Sequence, residues 1–301
     1  MRKIKILTDT CGDLNKELLE KYDIDYVKMN NVYHDQEIPA TLTWEWKNPH
    51  DFYQIMRNGE RITTTQVPVE EFKTVFGKYL DEGYDIIYIG CSLKQSGSVN
   101  TGKVVARDLL TLDKYKDAKI ECIDSLNSTV GEGLLAIFAA ELRIQGKTFE
   151  EIVEEVLKNR NNVNEYAAVA TLEWLKKSGR VTASKAFFGN LFGVKPILIS
   201  DADGTQTPIK KAKGRANSLR TIVELMKESI VDAENQTIYI GHADCSEEEL
   251  NLLKDLIKKE IPCKDIYTLY IGPIVGASVG PDTIGIWAFG KEVTYRVNVE
   301  K

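Results

Sequence analysis

Three loops rich in small hydroxyl side chains carry the residue types best suited to chemistry, and each follows a predicted β-strand. They are residues 8–13, 91–98 and 124–128. Because ligands of open α/β sheets bind at the carboxyl ends of the strands, we expect these loops to lie side by side. Ser96-Gly97-Ser98 falls at the start of a predicted helix, where free N–H groups and the helix dipole bind anions. The loops favour an anion or carboxylate site, although Ser, Thr and Asp also cap helices without binding a ligand.

Three further segments stand out. Residues 63–68 precede a predicted helix and are interpreted as its structural N-terminal cap. Residues 272–281 hold three glycines and two prolines, which indicates a special backbone path close to a ligand or another chain segment. Residues 210–215 form the densest basic stretch, which is either a solvated face or a docking patch for an acidic partner.

The motifs of common catalytic and metal sites are absent from the sequence. It contains no Walker A motif, no GxSxG elbow and no HExxH motif. The three histidines have no metal-ligand spacing, and the five scattered cysteines predict neither a disulfide framework nor a zinc site. On the residues alone, a binding protein without metal or cofactor is favoured over an enzyme.

The elements that must position these loops alternate between strand and helix up to about residue 160. Predicted strands at 4–7, 85–89 and 120–123 alternate with helices, which favours a parallel α/β sheet. Asp13 is the predicted N-cap of a helix over residues 14–22.

The second half has a mixed α+β pattern. It contains a hairpin around residues 201–204, and segments 283–288 and 293–299 close the chain. We therefore predict two domains, 1–160 and 161–301, with a ligand site in the cleft between them.

Composition excludes several classes of protein. Of the 301 residues, 43% are hydrophobic and 28% are charged, which is ordinary for a globular chain. A net charge of −6 argues against nucleic acid as a partner. The apolar run over residues 134–140 is too short to cross a bilayer, and no signal peptide is recognisable at the N-terminus. We expect a soluble cytoplasmic protein without stable membrane insertion, which leaves transient membrane contact open.

Seven short motifs occur in one order along nearly the whole chain. Thr8-Asp9-Thr10 with Asp13-Leu14 is similar to a V-T-D-S-x-x-D-L pattern. Residues 64–68 are similar to T-S-Q-P-S, and residues 92–98 to S-S-x-L-S-G-T. The other four motifs are residues 124–133, 172–181, 194–198 and 272–281. Together they resemble the DegV family, fatty-acid-binding proteins that act with a bacterial fatty-acid kinase.

The resemblance implies a two-domain protein that holds one long-chain fatty acid in a tunnel between its domains. A separate kinase subunit would supply ATP and phosphorylate the bound acid to an acyl phosphate for phospholipid metabolism. This chain would then be a carrier without catalysis of its own.

The resemblance also implies roles for particular residues. The ligand carboxylate is expected at Thr64, Ser96, Gly97 and Ser278. The loops around it would be held by Asp9, Thr10, Ser92, Asp124 and Ser125. Candidates for the acyl-tail lining, which are equally interpretable as helix core, are Phe187, Phe188, Leu191 and Phe192. Kinase docking is expected at Lys213 and Arg215, which match the family's V-R-x-R segment with lysine in place of one arginine.

The sequence departs from the family pattern in three places. Ser278 replaces the usual histidine, so a neutral hydrogen bond to the carboxylate would replace a charge-assisted one. Cys91-Ser92-Leu93 lacks the second serine of the S-S pair, and the proline of T-S-Q-P-S is displaced to Pro68.

Two other hypotheses for the function therefore remain. One is a small phosphotransferase or hydrolase that acts on a polar substrate with Asp9 or Asp124 as base. The other is a regulatory protein with an altered lipid ligand.

Overall fold

The computed structural model describes residues 2–182 and 193–297. In chain order the first half contains β1 (Lys3–Asp9), α1 (Lys16–Tyr22), β2 (Ile24–Val27), β3 (Asn30–Tyr33), β4 (Gln36–Pro39), α2 (Pro49–Arg57), β5 (Thr63–Thr65), α3 (Val69–Asp81), β6 (Tyr84–Gly90), α4 (Ser98–Leu110), β7 (Ile120–Asp124), α5 (Thr129–Ile144) and α6 (Phe149–Asn159). The second half contains β8 (Val163–Ala168), α7 (Glu173–Ser178), β9 (Val194–Ser200), β10 (Gln206–Lys213), α8 (Arg215–Ser229), β11 (Thr237–His242), α9 (Glu247–Glu260), β12 (Asp265–Tyr270), α10 (Pro273–Val279) and β13 (Ile284–Phe289).

The first sheet is parallel, as the alternating pattern predicts. Its strand order is β2-β1-β6-β7, and all three neighbouring pairs run parallel. Its central strands are apolar on both faces, because consecutive residues such as Ile86 and Ile87 are both buried. The three hydroxyl-rich loops leave the carboxyl ends of β1, β6 and β7, so they share one edge of the sheet.

The second sheet is mixed, with strand order β10-β9-β8-β13-β11-β12. Only β11 and β12 run parallel, and the other neighbouring strands are antiparallel. The predicted hairpin is confirmed, since β9 and β10 pair antiparallel around residues 201–205. A small antiparallel sheet, β4-β3-β5, holds Thr64 on its third strand.

The apolar core joins the two halves of the chain. Helix α5 packs against strands of both main sheets. One buried cluster contains Leu7 and Phe72 together with Leu198 and Ile271, and a second also draws on both halves. A third cluster draws its buried residues from the second half. The division at residue 160 stays a prediction.

Three local predictions need correction. Asp13 does not cap α1, because the cap is Asn15, whose side chain accepts from Leu18 N. Residues 63–65 form a strand, and Pro68 precedes α3 without a side-chain cap. Residues 293–297 are not in a strand, and residues 298 and 299 lie outside the described part of the chain.

Among the described residues, no helix combines the length and apolar character that crossing a bilayer requires.

Candidate functional site

A cavity of about 320 Å³ lies between elements of the two main sheets. Its wall includes Thr64, Ser96, Gly97 and Ser278, so all four residues predicted at the ligand carboxylate border one cavity. Each of them is half-buried, and this part of the wall is called the rim below. Their carboxylate-binding role stays a prediction.

Short hydrogen bonds fix the rim. Ser98 Oγ, at the start of α4, accepts from Val67 N at 3.1 Å and lies 2.9 Å from Ser96 Oγ. It therefore joins the segment after Thr64 to the Ser96 loop. Gly97 is the N-cap residue of α4, as the sequence predicts.

Asn31 links the opposite side of the rim. It pairs in register with Thr64 across β3 and β5. Its side-chain amide donates to the carbonyl of Pro273 at 2.9 Å, on the helix that carries Ser278. A buried side chain therefore sets the spacing between the β5 threonine and the α10 serine.

Asp9 holds two of the loops together from beneath the cavity. Its Oδ1 accepts from Cys11 N at 2.8 Å. Its Oδ2 accepts from Tyr88 Oη at 2.6 Å and from Cys91 N at 3.1 Å. Burial raises the pKa of Asp9, although these hydrogen bonds act in the opposite direction.

The other residues predicted to support the loops also bond to backbone. Thr10 Oγ1 accepts from Met29 N at 2.7 Å. Ser92, Asp124 and Ser125 each accept from the amide two residues further along, the usual Asx and Ser turn pattern. None of these residues is on the cavity wall as the described part of the chain forms it. Their hydrogen bonds therefore shape the loops, and other residues line the cavity.

Apolar side chains from both halves form much of the interior. They are Met29, Ala167, Val169, Leu175, Leu198, Ile271, Ile274, Val275, Val279 and Trp287. The predicted tail-lining residues Phe187, Phe188, Leu191 and Phe192 lie outside the described residues. The sequence analysis missed the observed set because its members come from distant segments and look like ordinary core.

The wall also contains polar residues that the sequence analysis did not assign to the site. Arg180 and Lys94 are exposed at the rim, and Arg180 Nε donates to the carbonyl of Gln95 at 3.4 Å. The positive φ of Gly179 ends α7 just before Arg180. That C-cap glycine is the sequence signal that the arginine lies beyond the end of the helix.

A second polar group is buried within the wall. Glu165 and Gln206 are each 4% exposed, and Ser128, Thr129 and Thr283 are 1–3% exposed. Burial raises the pKa of Glu165. The interior is therefore not uniformly apolar.

Cys11, Cys91 and Glu132 offer three candidate metal ligands, with donor atoms within 4.8 Å of one another. The two thiols are 80 residues apart in sequence, so no spacing rule finds them. A hydrogen bond with Cys91, together with burial, raises the pKa of Cys11, and burial raises that of Glu132 well above its ordinary value. The donors therefore favour their protonated forms, and a metal would have to displace protons.

The predicted docking residues differ in exposure. Lys213 is exposed on β10. Arg215 is half-buried: its Nε donates to Glu249 Oε1 at 2.7 Å, and its Nη2 lies 3.2 Å from Cys245 Sγ. The Arg215 guanidinium is therefore paired within the protein. Kinase docking at Lys213 and Arg215 stays a prediction.

Comparisons with known proteins agree with this architecture. A family model described as "Uncharacterised protein, DegV family" matches residues 3–291. A DegV domain-containing protein of Clostridium perfringens is 33% identical, covering 96% of this chain and 98% of its own length.

Two solved structures are also similar. A DegV lipid-binding protein of Thermotoga maritima is 26% identical with a TM-score of 0.83. DegV of Bacillus subtilis, a fatty-acid-binding protein, is 27% identical with a TM-score of 0.82. Each comparison covers 97% of this chain and 100% of the other. With the family model matching almost end to end, the chain belongs to the DegV family.

Proposed function

We propose that this protein binds one long-chain fatty acid in the cavity and presents its carboxylate to a separate ATP-dependent kinase, which forms the acyl phosphate. The observation that carries the proposal is the gathering of Thr64, Ser96, Gly97 and Ser278 at the rim of one partly apolar cavity. The fatty-acid-binding relative from B. subtilis supports it.

The rim suits a carboxylate that must remain reactive. Hydroxyl groups and the N–H groups at the start of α4 bind an anion through directed hydrogen bonds. Arg180 and Lys94 add positive charge at the entrance. Because the rim residues are only half-buried, a bound carboxylate can keep one oxygen accessible to a partner.

The acidic residues favour a carrier over a hydrolase. Asp9 is fully buried and uses both carboxylate oxygens in hydrogen bonds. Asp124 Oδ1 accepts from two backbone amides, those of Leu93 and Leu126. Neither residue is on the cavity wall that the described residues form, so both fit a loop-holding role.

The ligand is identified by mass spectrometry of an organic extract of the protein purified without detergent. We expect about one long-chain fatty acid per chain. Thr64→Val should then weaken fatty-acid binding by about tenfold or more, because a hydrogen bond to a charged group contributes about 1.5–3 kcal/mol.

Thr63→Val is the matched control, since Thr63 is exposed on the same strand and off the cavity wall. Absence of lipid from the extract, together with no binding of added fatty acid, would contradict the proposal.

The kinase step is tested separately by acyl-phosphate formation from the loaded protein, ATP and a fatty-acid kinase. Lys213→Glu should slow phosphorylation without changing fatty-acid binding, whereas Lys116→Glu, also exposed, should change neither. Arg215→Glu is a poorer test, because it would break the ion pair with Glu249. Equal rates for the Lys213 and Lys116 variants would exclude docking at Lys213.

A further inference from the structure

We propose that the preferred ligand is a hydroxylated fatty acid, whose chain hydroxyl binds the buried polar group of the cavity wall centred on Glu165 and Gln206. The inference rests on the proposed function and names the class of acid. Its basis is the chemistry of the cavity interior rather than that of the rim.

Glu165 is held in place on the wall by its neighbours. Its Oε2 accepts from Ser200 Oγ at 2.6 Å and from Gln206 Nε2 at 3.1 Å. The Gln206 amide also donates to Ser200 Oγ at 2.9 Å. Both of these side-chain bonds end on Oε2. The Ser200 backbone and the Trp287 indole also act on the carboxyl, so a chain hydroxyl would use the acceptor capacity that remains on Oε1.

Three other wall residues have a buried polar atom that forms no hydrogen bond within the described part of the chain. They are Thr65 Oγ1, Ser128 Oγ and Trp287 Nε1. Ser128 and Trp287 are each 1% exposed. A buried polar atom without a partner is unfavourable, because it has lost its bond to water and gained no other hydrogen bond. An unsubstituted alkyl chain offers these atoms no hydrogen-bond partner.

The indole ring is not free to turn toward another partner. Cβ atoms built at Gly241 and Gly285 would lie 2.8 Å and 2.6 Å from its ring carbons, and one at Gly131 would lie 3.2 Å away. Trp287 also pairs in register with Glu165 across β13 and β8, so the two side chains share a face of the sheet. The ring is fixed beside the carboxyl.

A hydroxyl matches this wall better than a charged group. Because burial raises the pKa of Glu165, the carboxyl favours its neutral form, in which it both donates and accepts. A hydroxyl also donates and accepts. Among the residues that the structure describes, no lysine or arginine contributes to this buried group, whose members on the wall are Ser128, Thr129, Glu165, Gln206, Thr283 and Trp287.

The test compares stearic acid with a series of monohydroxystearic acids that differ in hydroxyl position, bound to delipidated protein. At least one isomer should bind about tenfold more tightly than stearic acid, consistent with one new hydrogen bond and one satisfied buried atom. If every isomer binds no more tightly than stearic acid, the inference is wrong while the proposed function stands. If no acid binds, the proposed function itself fails.

Variants assign the preference to the wall. Glu165→Leu should remove the advantage of the hydroxylated acid while stearic acid still binds, and Glu165→Gln should keep most of it. Gln206→Met removes the amide of the same buried polar group and serves as the test if Glu165→Leu does not fold. A preference that survives both Glu165→Leu and Gln206→Met would overturn the assignment.

Discussion

Ser278 determines what kind of hydrogen bond the rim offers from α10. The hydroxyl can form only a neutral bond, whereas a protonated imidazole would form a charge-assisted one of roughly twice the strength. Ser278 is half-buried and is part of the cavity wall. Replacing Ser278 with a group that can carry a charge therefore tests the proposal that a carboxylate binds beside it.

Ser278→His should tighten fatty-acid binding by about tenfold at pH 5.5, with the gain falling as pH rises through the histidine pKa, ordinarily about 6.5. The sign follows because only the protonated ring adds charge, and binding a carboxylate favours that form. Isothermal titration of delipidated protein at several pH values measures the effect. Ser278→Asn, which adds bulk without a titrating group, should show no such pH dependence; a parallel pH profile for the two variants would contradict the prediction.

At the residue scale, the sequence predicted the rim better than the interior. Ser96 and Gly97 follow from a local rule, that a helix start binds anions, and the structure places them on the cavity. Thr64 comes only from the family resemblance, because its local pattern indicated a helix cap. Glu165 and Gln206 carry no local signal, since each is a single polar residue in a strand. Their approach depends on the pairing of three strands.

Helix α5 must approach the first loop closely enough to exclude any side chain at Gly133. A Cβ built there would lie 2.2 Å from the carbonyl oxygen of Gly12 and 2.8 Å from Leu14 Cδ2. The contact is with backbone, which cannot rotate away. The loop of residues 8–13 and the start of α5 can therefore pack this closely only because Gly133 has no side chain.

Gly133→Ala should lower the free energy of unfolding by about 2 kcal/mol, because the overpacking outweighs the helix propensity of about 1 kcal/mol that alanine adds. Gly77→Ala is the matched control in α3, where a Cβ meets nothing within 4 Å. That variant should be more stable by about 0.5–1 kcal/mol. Urea denaturation of both measures the contrast, and two shifts of the same sign would refute the explanation.

At the element scale, the alternation of strands and helices predicted the parallel sheet, and the turn residues 201–204 predicted the hairpin. The errors fall where tertiary contacts override a local preference. Aspartate is a common capping residue, and Asp13 lies just before α1. Its carboxyl nevertheless accepts from Thr129 Oγ1 at 2.5 Å, and Thr129 belongs to α5, which packs against both main sheets. A residue 116 positions away cannot be inferred from the local pattern.

The molecule as a whole buries several acidic groups near the junction of its two halves. Burial raises the pKa of Asp9, Asp13, Glu132 and Glu165, and that of Asp13 rises to about 7. In the unfolded chain the same groups titrate near pH 4. Between these values the folded state holds more protons, so these groups stabilise it at low pH and this contribution is lost as pH rises.

Asp13→Asn should remove the part of this pH-dependent stability that Asp13 contributes, because the amide remains neutral at every pH. The stability of the wild-type protein relative to the variant should fall by about 2–3 kcal/mol from pH 5 to pH 8, as the shift from 3.8 to about 7 requires. His242, whose pKa burial lowers to about 4, acts in the opposite direction below pH 6.5. That contribution is common to both proteins and cancels in the difference.

Urea denaturation at four pH values measures the difference in stability between the two proteins. Asp108→Asn, on the exposed face of α4, is the control. Wild type and Asp13→Asn running parallel from pH 5 to pH 8 would show that the buried carboxyl is already ionised in the folded protein.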